Sequence, residues 1–158
     1  MSKDLYFYDT LRESVVTEIN RVRADPTCYI PILQQYISFF KDSNILEKLG
    51  SLSIETYEGK NAYEEAISFL KRQRPCHTLT YDERIYKACN DHVLDMGQKG
   101  LFSHDGTDGT IVSDRLDRHL EWELSCCESI TIGKQSGLEV VISMLVDDGV
   151  ASRIHREH

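Results

Sequence analysis

The sequence predicts a helix-dominated α+β fold, and three observations carry that prediction. Apolar residues recur at helical spacing in five or six separate segments, start and stop signals bracket most of them, and one stretch, CCESITIG, alternates apolar and polar residues as a half-buried strand does. A chain of 158 residues, 41% hydrophobic and 28% charged, fits a single domain over residues 1–158 with no internal repeat and no interdomain linker.

The first helix is read from Leu11, Val15, Val16, Ile19 and Val22, with Thr10 and Glu13 as a capping box and Asp25-Pro26 as its end. A second begins near Pro31 and carries Ile32, Leu33, Tyr36, Ile37 and Phe40. Lys41 to Lys60, with Gly50 and Gly59, reads as a loop containing a short helix at most. A third helix is expected over Asn61 to Arg72, started by Asn61 and Glu64 and stopped by Pro75, with Ala62, Ala66, Ile67 and Leu70 on one side.

The clearest helical pattern follows Thr80 and Glu83, a second capping-box pair, and runs through Ile85, Ala88, Cys89, His92, Val93 and Met96. FSHDGTDGT is a turn-rich loop, and a short helix follows it through Ile111, Val112, Arg115 and Leu116. Trp122 and Leu124 lead into the alternating stretch, in which Ile130 and Ile132 are the apolar positions. A last helix spans about Ser136 to Val146 on Leu138, Val141, Ile142 and Leu145.

Charge and composition narrow the function classes. Lys plus Arg total 18 against 26 for Asp plus Glu, so a net charge of −8 disfavours nucleic acid and anionic bilayers as partners. The longest apolar runs, such as LEVVISMLV, fall short of the roughly 18 to 20 residues that span a bilayer. The N-terminal MSKDLYFYDTLRE lacks the basic start and apolar stretch of a secretory signal, so the chain as written is expected in the cytosol. Cys28, Cys76, Cys89, Cys126 and Cys127 show no C-x-x-C spacing and read as free thiols; a Cys126–Cys127 vicinal disulfide has poor geometry.

Among chemistry-bearing residues, His104 sits in the glycine-rich turn, where a short loop can hold an imidazole at a cavity rim. Asp105 and Asp108 lack the alternating spacing of a calcium loop. His92, on or beside the apolar face of its helix, reads as a packed histidine, and Glu128 is an acid needing a partner if buried. Asp147 and Asp148 close the last helix at its negative dipole end, where Arg153 or a cation would compensate. In the terminal HREH, His155 and His158 stand at i and i+3, a spacing that chelates zinc if the tail is helical.

Taken together, EINRVRADPTCYIPIL, LTYDERIYKACNDHVLDM, FSHDGTDG, CESITIGKQSGLEVV and MLVDDGVASRIHR resemble the CAP superfamily, or SCP-like domains. That group includes cysteine-rich secretory proteins, antigen-type venom allergens and pathogenesis-related proteins, and the likeness is strongest to its DDGV-x-x-R-G-H-R subset. The resemblance implies an α-β-α sandwich with a three-stranded antiparallel sheet and a central cavity. It assigns His104, Glu128, Asp147 and His155 to that cavity, with Glu139 a lesser stand-in for Asp147, and His104 and His155 as ligands to zinc or another divalent cation.

The chain departs from the pattern at three places. Cys127-Glu128-Ser129 replaces G-E-N, and Arg153-Ile154-His155-Arg156 replaces R-G-H-R, both of which bear on cavity geometry. His158 is the last residue where the family pattern continues into further strands, so a C-terminally truncated domain is expected.

The expectation is therefore a non-catalytic, cavity-bearing binding module for a divalent metal and a lipid-like ligand, in a family that is often secreted. One alternative is a metal-dependent hydrolase with Glu128 as base; another is an interaction protein that self-associates through uncovered helix faces.

Overall fold

The computed structural model describes residues 3–48, 50 and 52–158, with side chains described from Phe7 onward. Helix accounts for 53% of the chain and strand for 3%, so the architecture is helix-dominated. The elements are α1 (Lys3–Ala24), a 3-10 turn (Pro26–Tyr29), α2 (Ile30–Ser38), β1 (Ile45–Leu46), β2 (Ile54–Glu55), α3 (Lys60–Leu70), α4 (Glu83–Lys99), α5 (Val112–Asp117), α6 (Gly137–Val146) and α7 (Ile154–Glu157). They form two compact units, residues 1–79 with 131–158, and residues 80–130.

In the first unit α1 packs on α6, α2 on α3 and α3 on α6. The helix periodicity is physical here: Ala62, Ala66, Ile67 and Leu70 of α3 are buried, and so are Val141, Ile142 and Leu145 of α6. The small side chains at 62 and 66 let neighbouring elements approach α3, while Tyr29, Leu33 and Leu70 fill the centre as the largest fully buried side chains. Tyr29 satisfies its one polar atom by donating to Glu18 Oε2 at 2.6 Å. Burial and that acidic partner push its phenol well above the ordinary range.

Gly137 at the start of α6 is needed for close approach: a Cβ there would sit 2.3 Å from the backbone of Ser14. The Ser14 hydroxyl accepts from the Gly137 N–H at 3.1 Å, so one residue of α1 both receives and fixes the end of α6. The chain before residue 80 lies along α1, where Asn20 exchanges two hydrogen bonds with Leu79 and Arg23 donates to His77 O.

Several sequence expectations are corrected. The strand expected over CCESITIG is irregular chain; its alternation has no ladder partner among the described residues. The two short strands fall instead in the segment read as loop, pairing antiparallel with Ile45 opposite Glu55 and Leu46 opposite Ile54. At two residues each, they are too short for a period of two to register in sequence.

Thr10 and Glu13 lie inside α1 rather than at its start. Thr80 does not cap α4: Asp82 does, accepting from the Arg84 N–H at 2.8 Å. α3 starts at Lys60 after Gly59 rather than at Asn61, and Phe40 leaves α2 to form an isolated bridge with Leu46. Ser136 caps α6 as its position before the apolar run suggests, accepting from the Glu139 N–H.

The second unit is small. α4 carries two adjacent apolar rows, and α5 packs on this helix. Ala88, His92 and Met96, four apart, are buried. Ile85 and Val93, in the neighbouring row, stay 44% and 66% exposed, because a six-residue partner helix is too short to cover both rows.

Candidate functional site

Four residues that the sequence singles out fall into two carboxylate–imidazole pairs, one in each unit. In the second unit, His104 Nδ1 lies 2.9 Å from Glu128 Oε1. In the first, His155 Nδ1 lies 2.7 Å from Asp147 Oδ1. An ionised carboxylate only accepts, so each ring donates from Nδ1 and in its neutral form carries its lone pair on Nε2. That is the arrangement in which a carboxylate fixes the tautomer of a metal-ligating histidine.

The His104 loop is fastened from both sides. Asp95 of α4 accepts from the Thr107 N–H at 2.7 Å and its hydroxyl at 2.6 Å, and Lys99 pairs with the same carboxylate and also reaches the Thr107 hydroxyl. These contacts hold the Asp95 carboxyl far below the usual range, the Lys99 and Thr107 side-chain bonds first among them. Asp108 is spent within the loop on Thr110 N–H and hydroxyl, and further on Arg118. His92, 5% exposed, is packed, with Nε2 2.8 Å from Ser103 O.

Arg115 organises this site. Its side chain is 3% exposed, and it donates to His104 O and Thr110 O, each at 3.1 Å, and to Glu128 Oε2 at 2.6 Å. One guanidinium thus fixes both the backbone of His104 and the acid that holds its ring. Burial pushes the Glu128 carboxyl up, but hydrogen bonds from His104 and Arg115 outweigh it and leave its pKa below the ordinary value. Sequence reading names Arg115 only as a helix residue; the available signal was a charge on the apolar stripe of a short helix.

The Asp147–His155 pair is built differently. Asp147 is the C-cap of α6, in left-handed backbone conformation at φ 53°, and is 4% exposed. Its carboxylate also accepts from the His155 N–H at 3.1 Å, so ring and backbone of His155 are held by one acid. At the end of α6 the arginines meet backbone carbonyls rather than the acids: Arg153 donates to Asp147 O at 2.7 Å, and Arg156 donates to Leu145 O at 2.5 Å and Val146 O at 3.1 Å.

Arg153 is itself left-handed, at φ 54°. A non-glycine residue in that region costs about 1–2 kcal/mol, and its side-chain contacts offset it. Those contacts go to Glu58 and Glu65, residues that sequence reading passes over because they lie about ninety positions away. Glu139 sits at the other end of α6, where its carboxylate accepts from the Gln135 N–H, and it makes no pair with His155. His158 closes the final turn by donating its N–H to Ile154 O.

Among the described residues, no three His, Cys, Asp or Glu side chains gather as a metal cluster. Within the second unit, Asp91, His92, Asp95, Asp108, Arg115 and Arg118 line a polar cavity of about 40 Å³, room for water rather than for an acyl chain. All five cysteines are free thiols, and no helix among the described residues is long and apolar enough to cross a membrane. No family model, curated protein or solved structure matches this chain.

Proposed function

We propose that this chain is a CAP-like, non-catalytic binding module whose His104 and His155 each offer an imidazole to a divalent cation. One observation carries the reading: both histidines have Nδ1 held by a carboxylate, which leaves Nε2 as the electron-pair donor. Zinc suits imidazole donors, and so small a donor set predicts weak binding. The resemblance supplies the fold family and the lipid-like ligand; the paired imidazoles supply the cation.

The hydrolytic alternative is disfavoured by the state of Glu128. A general base for water is most effective with a pKa near the working pH. Here each carboxylate oxygen already accepts a hydrogen bond, Oε1 from His104 and Oε2 from Arg115, and the lowered pKa makes the group a weaker base. Glu128 is an orienting group in this arrangement.

Calorimetric zinc titration tests the reading. The expected isotherm is weakened in His104→Ala and in His155→Ala and kept in His158→Ala. Equal loss in the His158 variant contradicts it, because the terminal i, i+3 pair would then be the chelate.

Self-association is a second reading, favoured by the apolar side chains that the second unit leaves in solvent. Val93, Phe102 and Leu124 are 66%, 60% and 95% exposed, apolar surface that a second copy could cover. Sedimentation velocity over a concentration series is expected to give a rising weight-average mass, reduced in Val93→Glu. A concentration-independent monomer contradicts this reading.

A further inference from the structure

We infer that Glu58 and Asp148 are positioning residues for His155, acting as a reciprocal clamp that holds the DDGVASR turn in the backbone conformation presenting this imidazole. The two segments exchange carboxylates. Asp148 accepts from the backbone N–H groups of Tyr57 and Glu58, each at 2.8 Å. Glu58 in return accepts from the Gly149 N–H at 2.8 Å and from both terminal nitrogens of Arg153, at 2.6 and 2.5 Å.

Arg153 closes the circuit by donating to Asp147 O at 2.7 Å and Val150 O at 3.2 Å. The turn so enclosed contains left-handed backbone at Asp147, Gly149 and Arg153. Such conformations persist in non-glycine residues where surrounding contacts over-determine them. At Gly149 the fit leaves no room, since a Cβ would lie 2.8 Å from the Tyr57 ring.

The consequence reaches His155 through two short steps. Asp147 sets the ring by its carboxylate, and the direction of that carboxylate depends on the left-handed backbone that Arg153 fixes. Arg153 in turn takes its position from Glu58 and Glu65. Removing the charge at Glu58 leaves an acceptor for Gly149 but weakens the grip on Arg153, so the imidazole loses its fixed orientation while the apolar core is untouched.

The zinc part of the test rests on the cation-binding reading; the spectroscopic part does not. Three variants of the full chain are compared with the wild type: Glu58→Gln, Asp148→Asn, and Tyr29→Phe as a control that weakens the same unit away from the turn. In the metal-free protein, the His155 Nδ1–H proton held by Asp147 is expected as a downfield, slowly exchanging resonance. It should vanish in Glu58→Gln and Asp148→Asn and persist in Tyr29→Phe.

Zinc affinity should fall about tenfold in the first two variants, the scale of losing a partner behind a metal ligand, and stay unchanged in the control. If the wild type binds no zinc but the resonance behaves as stated, the clamp stands and the cation reading falls. If zinc binds and both clamp variants keep the resonance and the affinity, the clamp is overturned. A parallel loss in Tyr29→Phe also overturns it, because general weakening would then explain the effect.

Discussion

The two carboxylate–imidazole pairs use the same chemistry on unlike supports. Asp147 and His155 stand on a turn that leaves a packed helix, with side chains 4% and 20% exposed. His104 is 57% exposed, and its acid, Glu128, comes from irregular chain. The first unit holds its pair by an apolar core and a carboxylate exchange between distant segments; the second does so largely through Arg115. A buried guanidinium can thus stand in for a core when a unit is too small to build one.

Breaking each support in turn sharpens that contrast, and the largest effect is expected in the core. Leu33→Ala should cost about 4 kcal/mol, since Leu33 is fully buried and the cavity cannot collapse onto a rigid neighbour such as Tyr29. Chemical denaturation gives the magnitude, and hydrogen exchange should place the loss of protection in the first unit. If protection is lost equally from residues 80–130, the two supports are not separate.

Arg115→Met comes next, at about 3 kcal/mol, because it strands the partly buried Glu128 charge and two loop carbonyls. Here exchange should rise first in the loop from Ser103 to Thr110. A variant as stable as the wild type would show that the second unit has another anchor. Gly149→Ala should cost about 1–2 kcal/mol from its left-handed backbone at φ 81°, with the Tyr57 ring adding to it.

The smallest effect is that of pH. Glu58 has its carboxyl lowered to about 2 from 4.5, chiefly by the Arg153 side chain. Lowering favours the folded state above the unfolded value, so that contribution is present above about pH 4.5 and fades as pH falls toward about 2. Glu65 and Glu128 are lowered too and act in the same direction. The unfolding midpoint should therefore drop through this window, and less steeply in Glu58→Gln; an unchanged slope in that variant would detach Glu58 from the effect.

These contrasts also explain what the sequence discloses. Helices α3 and α6 were legible because Ala62, Ala66, Ile67 and Leu70, and Val141, Ile142 and Leu145, are spaced by the same period that buries them. The start of α4 was not, since Thr80 and Asp82 are both acceptable caps two residues apart and only geometry selects Asp82. The strand signal in CCESITIG misled because apolar alternation tracks burial only where a sheet covers one face; here the segment is irregular and Ile132 stays 68% exposed.

The histidines and their acids were readable as residues. The residues that hold them, Arg115, Glu58 and Glu65, were not, because hydrogen bonds across 13 to 95 positions leave no periodic trace.

The carboxylates hold both neutral imidazoles as the Nδ1–H tautomer, with Nε2 as the donor. Long-range nitrogen–proton correlation spectra of the metal-free protein at alkaline pH measure this directly. The arrangement predicts a protonated Nδ1 and an unprotonated Nε2 at His104 and at His155. A proton on Nε2 of either ring would contradict it, since that histidine would have no lone pair to offer a cation where its carboxylate has fixed it.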